Sequence, residues 1–443
     1  MATNPEINSV ACARKMAKGC PCALRDTCGS RASALREIKR WAAADRIPEE
    51  SDGISLARSV TEHVRRTGKY FLSDRALVRL SDIRRRHGAN RPFLSAFLDC
   101  ALDKHERRFQ NRTYLALPVL ELLVADQRAG LSADRMPTLL MADVVRFEIE
   151  AAAGSPEGPG RDRPDAATLS TRLRHALRLV TTGLGQSGLG QSEADDLPSR
   201  LAPTSRSRLE GLADRLPRPP ATDCGRWFDV TVQPVSVVHD EYFFIRVLQT
   251  HEMHFTAIAA AMKKVIEALR AGNPEGAVEL LDHAVVMFER AATLFRVVAT
   301  MRAEQFSAFR QHTQGASAIQ SEQYKRFESL CGVPPVPRLR SSAFTSVPAV
   351  RAEAEDPGHD TVTRAYLDLR NEGRVDRARW NRLDRAISRL ESGHQRWKSA
   401  HRGLAARMLG DAHGTGYTDG VPYLTECLRN RLFWQLDSRY TTR

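Results

Sequence analysis

WNRLDRAISRLESGHQRWKSAHRGLAARML, residues 380–409, places apolar or imidazole side chains at 380, 383, 387, 390, 394, 397, 401, 404 and 408. The steps alternate between three and four throughout, so the stretch reads as a one-sided helix facing a core. Two members of the seam are histidines, His394 and His401. An imidazole there must be hydrogen-bonded, charged and paired, or bound to a metal, because leaving it unsatisfied costs about 1–3 kcal/mol. On periodicity alone a seam histidine reads first as a satisfied core residue. A second signal lies just beyond the helix: Gly414-Thr415-Gly416 makes a turn that can fold back over whatever His401 holds.

Outward from this helix the pattern stays helical. Residues 236–271 carry Phe244, Val247, Leu248, His251, Phe255, Ile258, Met262, Val265 and Leu269 on one side and stop at Gly272-Asn273-Pro274. A second helix is expected from Pro274 to about 301, shorter ones over 303–312 and 317–331, and a loop from the prolines at 334, 335 and 337 to about 358. The seam helix extends back to 361, with a break expected near Gly373 or Gly393, and a last helix is expected over 420–438. Toward the N-terminus, helices are predicted over 33–44, 54–66, 73–86, 93–106, 114–126 and 136–153. Only 228–238 shows strand-like alternation. The fold class is all-α, a bundle of long helices in which cofactor sites are built from inward-facing side chains.

Composition divides the chain into four parts. Residues 1–35 form a basic tail carrying Cys12, Cys20, Cys22 and Cys28. Four thiolates can hold zinc or an iron–sulfur cluster, but these lack paired C-x2-C knuckles, and incidental cysteines in a tail are the plainer reading. Residues 36–153 form a helical N-terminal region. From 154 to 225 the composition turns to Gly, Pro, Ser and Asp, with a near-tandem GLGQSGLGQS at 183–192, which reads as a flexible linker or insertion holding one helix near 167–182. Residues 226–443 form the cleanest helical domain.

The net charge of +13 raises the question of nucleic acid, but the arginines are interleaved with acids, as in Arg382-Leu383-Asp384-Arg385, which marks solvated helix faces. No apolar run approaches a membrane span and the first 30 residues have no continuous apolar core, so neither membrane insertion nor a secretory signal is expected. Eight cysteines without a regular framework fit a reducing cytoplasm.

Three ordered segments carry a resemblance. W-x-x-x-H at Trp397 and His401 precedes R-M-L-G and then G-T-G at 414–416. His239-Asp240-Glu241-Tyr242-Phe243-Phe244-Ile245 continues to Gln249-Thr250-His251-Glu252-Met253. Glu304-Gln305-Phe306-Ser307-Ala308-Phe309-Arg310 is followed by Gln320-Ser321-Glu322-Gln323-Tyr324. Together they resemble the proximal heme helix, the HDE helix and the E-Y-x-x-F-R segment of tryptophan 2,3-dioxygenases, over about 236–330 and 361–440. The resemblance implies a helical bundle enclosing a b-type heme, with His401 as the iron ligand and Trp397, Gly414 and Gly416 around the cofactor. It implies that Arg310 binds a substrate carboxylate, that Thr415 contacts the amino-acid end, and that Phe244 packs on the aromatic ring. An aromatic amino acid is the implied substrate, O2 or H2O2 the oxidant, and a homo-oligomer, dimer or tetramer, the assembly.

The chain departs from this pattern where chemistry is decided. Leu248 stands where the dioxygenases carry a distal histidine, Phe306 where they carry tyrosine, and Tyr417 replaces the second glycine of GTGG. Asn111 stands where a substrate-side tyrosine is expected. His251 lies three residues after Leu248 on the same helix face and offers a displaced acid–base group, or a structural one. His394 is expected at the surface or in packing. These departures point to a biosynthetic branch that hydroxylates a tyrosine-like or tryptophan-derived ring by monooxygenation. The alternative is tryptophan 2,3-dioxygenase activity giving N-formylkynurenine. A reading from another class is a heme-binding sensor or inactive scaffold, in which His251 rather than a substrate would occupy the open heme face.

Overall fold

The computed structural model describes residues 21–47, 52–103, 105, 110–152, 163–184, 206–373, 375–410, 412–414 and 418–436, with the side chains of 21–28, 30, 184 and 206–208 outside that set. The N-terminal helices are α1 (Pro21–Ala43), α2 (Ile54–Thr67), α3 (Asp74–His87), α4 (Pro92–Ala101), α5 (Asn111–Tyr114), α6 (Leu117–Ala125), α7 (Met136–Ala152), α8 (Ala166–Leu184) and α9 (Arg206–Arg215). The long bundle helices are α10 (His239–Arg270) and α11 (Pro274–Val298), followed by α12 (Ala303–Arg310) and α13 (Glu322–Cys331). Then come the short α14 (Val336–Leu339), α15 (Ser342–Thr345) and α16 (Pro348–Glu355), and finally α17 (Val362–Glu372), α18 (Arg377–Leu409) and α19 (Val421–Cys427). Among the described residues there is no strand, and no helix is long and apolar enough to cross a membrane.

Local chemistry sets the long elements. Asp240 and Glu241 occupy the first turn of α10, where the helix dipole favours anions. The chain reverses at Gly272, φ 70°, a left-handed position that glycine adopts without strain. Asn273 then caps α11 by accepting from the Gly276 N–H, with Pro274 at the first helical position. α10 is the central helix: it packs on α11, α7, α13 and α17, and α11 packs in turn on α18.

Several boundaries differ from the sequence expectations. The seam helix breaks at Gly373, φ 67°, and Asp376 caps α18 through the Arg379 N–H. Gly393 lies inside α18, buried against Phe288, and causes no break. The expected strand at 228–238 is instead a 3-10 turn over Gly225–Thr231 and extended chain. The expected loop at 334–358 folds into α14–α16 around a small core of Leu339, Phe344, Val347 and Val350. The expected helix 420–438 is only α19, with a further 3-10 turn at Trp434–Leu436; the chain is redirected between them, where Glu391 accepts from the Leu432 and Phe433 N–H groups.

Within the segment read as a linker, α8 is packed. Leu173, Leu177 and Val180 share a core with Phe243, Val247 and Val297 of α10 and α11. Arg172 of α8 is fully buried and donates to Glu148 at 2.6 Å and Asp240 at 2.9 Å. The same network takes in His239, whose Nε2 lies 3.2 Å from Glu148. Glu241 accepts from the backbone of Val235 and Ser236 and from the Tyr114 hydroxyl. The His239-Asp240-Glu241 motif is therefore structural: it ties the start of α10 to α7, α8 and the preceding loop.

Candidate active site

The core opens at the C-terminal end of α18. Up to Trp397 the seam is buried against α10 and α11. One turn later His401 faces a large cavity of about 250 Å³ that is partly open to solvent. Its walls come from α10, α11, α12, α13 and α18, and from Gly414, Thr418 and Gly420. His401 stacks on Phe295 at 5.3 Å between centroids and 7° between planes, with Trp397 at 5.7 Å. Burial pushes the His401 imidazole down to about 4, so it is neutral at ordinary pH and carries a free lone pair.

The second seam histidine is committed elsewhere. His394 is buried, not at the surface, and its Nε2 lies 2.8 Å from the Tyr324 hydroxyl. It does not line the cavity. The two histidines share a helix face, but the cavity begins only beyond Trp397.

Opposite His401, α10 presents Phe244, Leu248 and His251 to the same cavity. Phe244 packs edge-on to Phe306 at 5.7 Å and tilted against Phe309 at 5.2 Å, so its ring is fixed. His251 is 5% exposed, and neither ring nitrogen has a hydrogen-bond partner among the described residues. It lies 5.0 Å from Phe295 and 6.1 Å from Trp397, so Phe295 forms a shared wall between the two imidazoles. Burial holds His251 well below the ordinary histidine range, reinforced by His254 and His401. A buried imidazole with two unsatisfied nitrogens is rare in a finished core and points toward a ligand.

Arg310 ends α12 and lines the cavity beside Phe306, with its guanidinium 5.9 Å from that ring. It donates to the His413 carbonyl, which ties the chain at 412–414 to the end of α12. Gly414 donates to the Thr418 carbonyl at 2.8 Å. A Cβ at Gly414 would lie 2.1 Å from Thr418 Oγ1 and 3.1 Å from Gly420 Cα, so any side chain there displaces its neighbours. Thr415, Gly416 and Tyr417 lie outside the described residues, as do Cys12 and Cys20 and the side chains of Cys22 and Cys28. Among the described residues no group of three or more His, Cys, Asp or Glu could hold a metal ion.

The structure also brings in residues that sequence patterns do not single out. Glu252 lines the cavity and accepts from Ser321 Oγ at 2.9 Å and Asn111 Nδ2 at 3.3 Å, and burial pushes its carboxyl up to about 7. Tyr324, Lys325, Arg338 and Lys398 line the same space. Lysines and arginines within amphipathic helices read as solvent-facing, which is why none stands out.

These residues would suit a flat, largely apolar cofactor held through the His401 imidazole. The walls beside His401 are Phe295, Val298, Leu404 and Met408, the imidazole is neutral, and orphaned polar atoms face the same space. The family profile described as tryptophan 2,3-dioxygenase matches residues 230–345, which take in all of α10–α15 and hence Phe244, His251 and Arg310. Similarity to tryptophan 2,3-dioxygenase of Anaeromyxobacter sp. (strain K) runs over 228 residues at 28% identity, covering 44% of this chain and 84% of the relative. The Bordetella parapertussis enzyme of the same name is 26% identical over 242 residues, 46% of this chain and 84% of the relative. The Burkholderia ambifaria enzyme is 26% identical over 235 residues, 46% of this chain and 76% of the relative. These matches support the tryptophan 2,3-dioxygenase-like superfamily as the one this chain resembles. This superfamily is one of heme-dependent oxidoreductases. Its relatives here are named dioxygenases, so the expected preference for monooxygenation over ring cleavage gains no support from them.

Proposed function

We propose that this chain is a heme-dependent oxygenase acting on an aromatic amino acid, and that its reaction is dioxygen insertion into an indole ring of the tryptophan class. The observation that carries the reading is the cavity itself: a neutral His401 on one wall and Phe244, His251 and Arg310 on others. Heme held by His401 would supply iron able to bind and activate dioxygen. Phe295 and Trp397 fix the orientation of the His401 ring, and Leu404 and Met408 supply apolar walls.

Arg310 would orient the substrate. A guanidinium pairs with a carboxylate through two parallel N–H donors, and one N–H of Arg310 already anchors the chain at 412–414. Binding the substrate carboxylate there would join substrate and that segment in a single contact and help exclude water. Phe244 offers a fixed ring for an aromatic side chain to pack on. Among the described residues His251 is the one imidazole of α10 facing the cavity with both nitrogens unpartnered, so it would hold or release a proton in place of the group that Leu248 lacks. Thr415 would meet the amino-acid end. A homo-oligomer is part of the same proposal.

One observation favours a second reading, ring hydroxylation by monooxygenation: Leu248 lines the cavity with no group able to exchange a proton. Product analysis separates the two. Heme-loaded ferrous protein is given L-tryptophan and a panel of tyrosine and tryptophan derivatives under isotopically labelled dioxygen. Ring cleavage places both atoms of one dioxygen in an N-formylkynurenine-type product. Incorporation of a single atom establishes hydroxylation, and no product from any member of the panel returns the chain to a sensor or scaffold.

A further inference from the structure

The cavity holds a cation with no hydrogen-bond or ion-pair partner among the described residues. Lys325, on α13, is 3% exposed and lines the cavity. It makes no hydrogen bond among the described residues; its nearest aromatic contact is the Tyr324 ring, 4.6 Å from Nζ. An ammonium out of water without an acceptor is costly, and folded proteins normally pair it or discharge it.

The surrounding charges do not balance it. Arg338 and Glu328 form a closed bidentate pair, with Nε and Nη2 at 2.8 Å and 2.9 Å from the two carboxylate oxygens. Lys398, on α18, is 5% exposed and donates only to carbonyls, those of Cys427 at 2.9 Å and Asn430 at 2.5 Å. Glu252 is the remaining acid near Lys325, and its burial favours the neutral form, whereas Lys398 also faces Glu391, whose carboxyl is held down to about 2. With the Arg338–Glu328 pair cancelled and Glu391 set against Lys398, Lys325 is left without a committed anion among the described residues. Burial pushes both lysines down to about 8, which leaves them mostly charged near neutral pH. Lys398 precedes His401 by three residues, so it lies one turn from the imidazole on a shared helix face. Arg310, the cation assigned to the substrate carboxylate, is already tied to the turn at His413.

We propose that Lys325, reinforced by Lys398, forms a carboxylate-binding subsite of this cavity, and that its ligand is a carboxylate of the porphyrin. The proposal rests on the heme reading and assigns to α13 a cofactor-binding role. The other source of the same chemistry is the carboxylate of the amino-acid substrate.

The test titrates heme-free protein with hemin and with hemin dimethyl ester, whose carboxylates are blocked, following the Soret band. Lys325→Met should weaken hemin binding by roughly tenfold or more, as expected for loss of a charge-assisted contact. Lys325→Met and wild type should bind the ester alike, and Lys325→Arg should keep most of the hemin affinity. Equal losses for hemin and ester would overturn the proposal, since the residue would then be structural. Unchanged hemin binding with weakened substrate binding would overturn it in favour of the substrate carboxylate. If wild type takes up neither porphyrin, the heme reading itself fails; if it binds hemin through histidine and Lys325→Met binds it equally well, only the subsite fails.

Discussion

Removing Arg172 tests whether α8, which lies outside the segment matched by the family profile, is an integral part of the fold. Arg172→Met keeps the length and apolar stem of the side chain and deletes its charge. Arg172 and Glu148 are fully buried and Asp240 is 2% exposed, so the variant leaves two carboxylates in the core without their cation. Breaking a buried ion pair by removing one partner costs about 3–5 kcal/mol. The guanidinium also lies 3.8 Å from the centroid of the Phe243 ring and donates to Thr300 Oγ1 at 3.0 Å, and both contacts are lost. For 443 residues melting as one unit, the entropy of unfolding gives roughly 1 °C per kcal/mol. The expected fall in melting temperature is therefore about 3–5 °C by circular dichroism at neutral pH. Glu148→Gln with Asp240→Asn in the same background should recover part of it, because the unpaired charges are then gone. A shift below about 1 °C, or no recovery on neutralising the two acids, would refute the reasoning and make α8 a peripheral helix.

Three further outcomes are expected from the same contacts. Arg310→Ala should weaken binding of the aromatic amino acid by roughly tenfold or more, read by substrate-induced change in the Soret band, while heme content stays near wild type; unchanged affinity would leave Arg310 only the turn to hold. Gly414→Ala forces a Cβ onto Thr418 Oγ1, so the turn must shift and substrate affinity should fall, again without loss of heme; equal affinity in a titration would show that the turn is not a wall of the site. Acid should destabilise the heme-free protein as pH falls from about 6.5 toward 4, because burial holds His254 near 3 and His394 near 4. The unfolded chain binds those protons at the ordinary histidine pKa and the folded chain does not, so each imidazole costs up to about 1.4 kcal/mol per pH unit in that window. His254→Gln should flatten the slope of urea midpoint against pH, and an unchanged slope would mean that His254 does not contribute to acid sensitivity.

The helical class and the lengths of the long elements are legible in the sequence because amphipathic periodicity and capping residues are local. The stops at Gly272-Asn273-Pro274 and Gly373 follow from chemistry carried by two or three adjacent residues. The reading of His401 comes from its seam and its neighbours; in the structure His401 lines the cavity and His394 does not. What is not legible depends on tertiary partners. The His239-Asp240-Glu241 motif looks like a site in one dimension but is an anchor, because Glu148 and Arg172 arrive from helices far away in sequence. Lys325 looks like a surface residue because nothing local reports that α13 turns that face inward. The chain at 420–438 reads as one helix because its apolar content resembles one, whereas Glu391 captures the Leu432 and Phe433 N–H groups and redirects it.

The central claim is that His401 holds the cofactor from the wall of this cavity. The most direct test is the absorption and electron paramagnetic resonance spectra of heme-loaded His401→Gly, with and without added imidazole. The glycine removes the ring and opens space against Phe295, where free imidazole can enter. The account predicts loss of the histidine-ligated spectrum in the variant and its return on adding imidazole, with His394→Gln close to wild type throughout. A histidine-ligated spectrum that survives in His401→Gly without imidazole would contradict it.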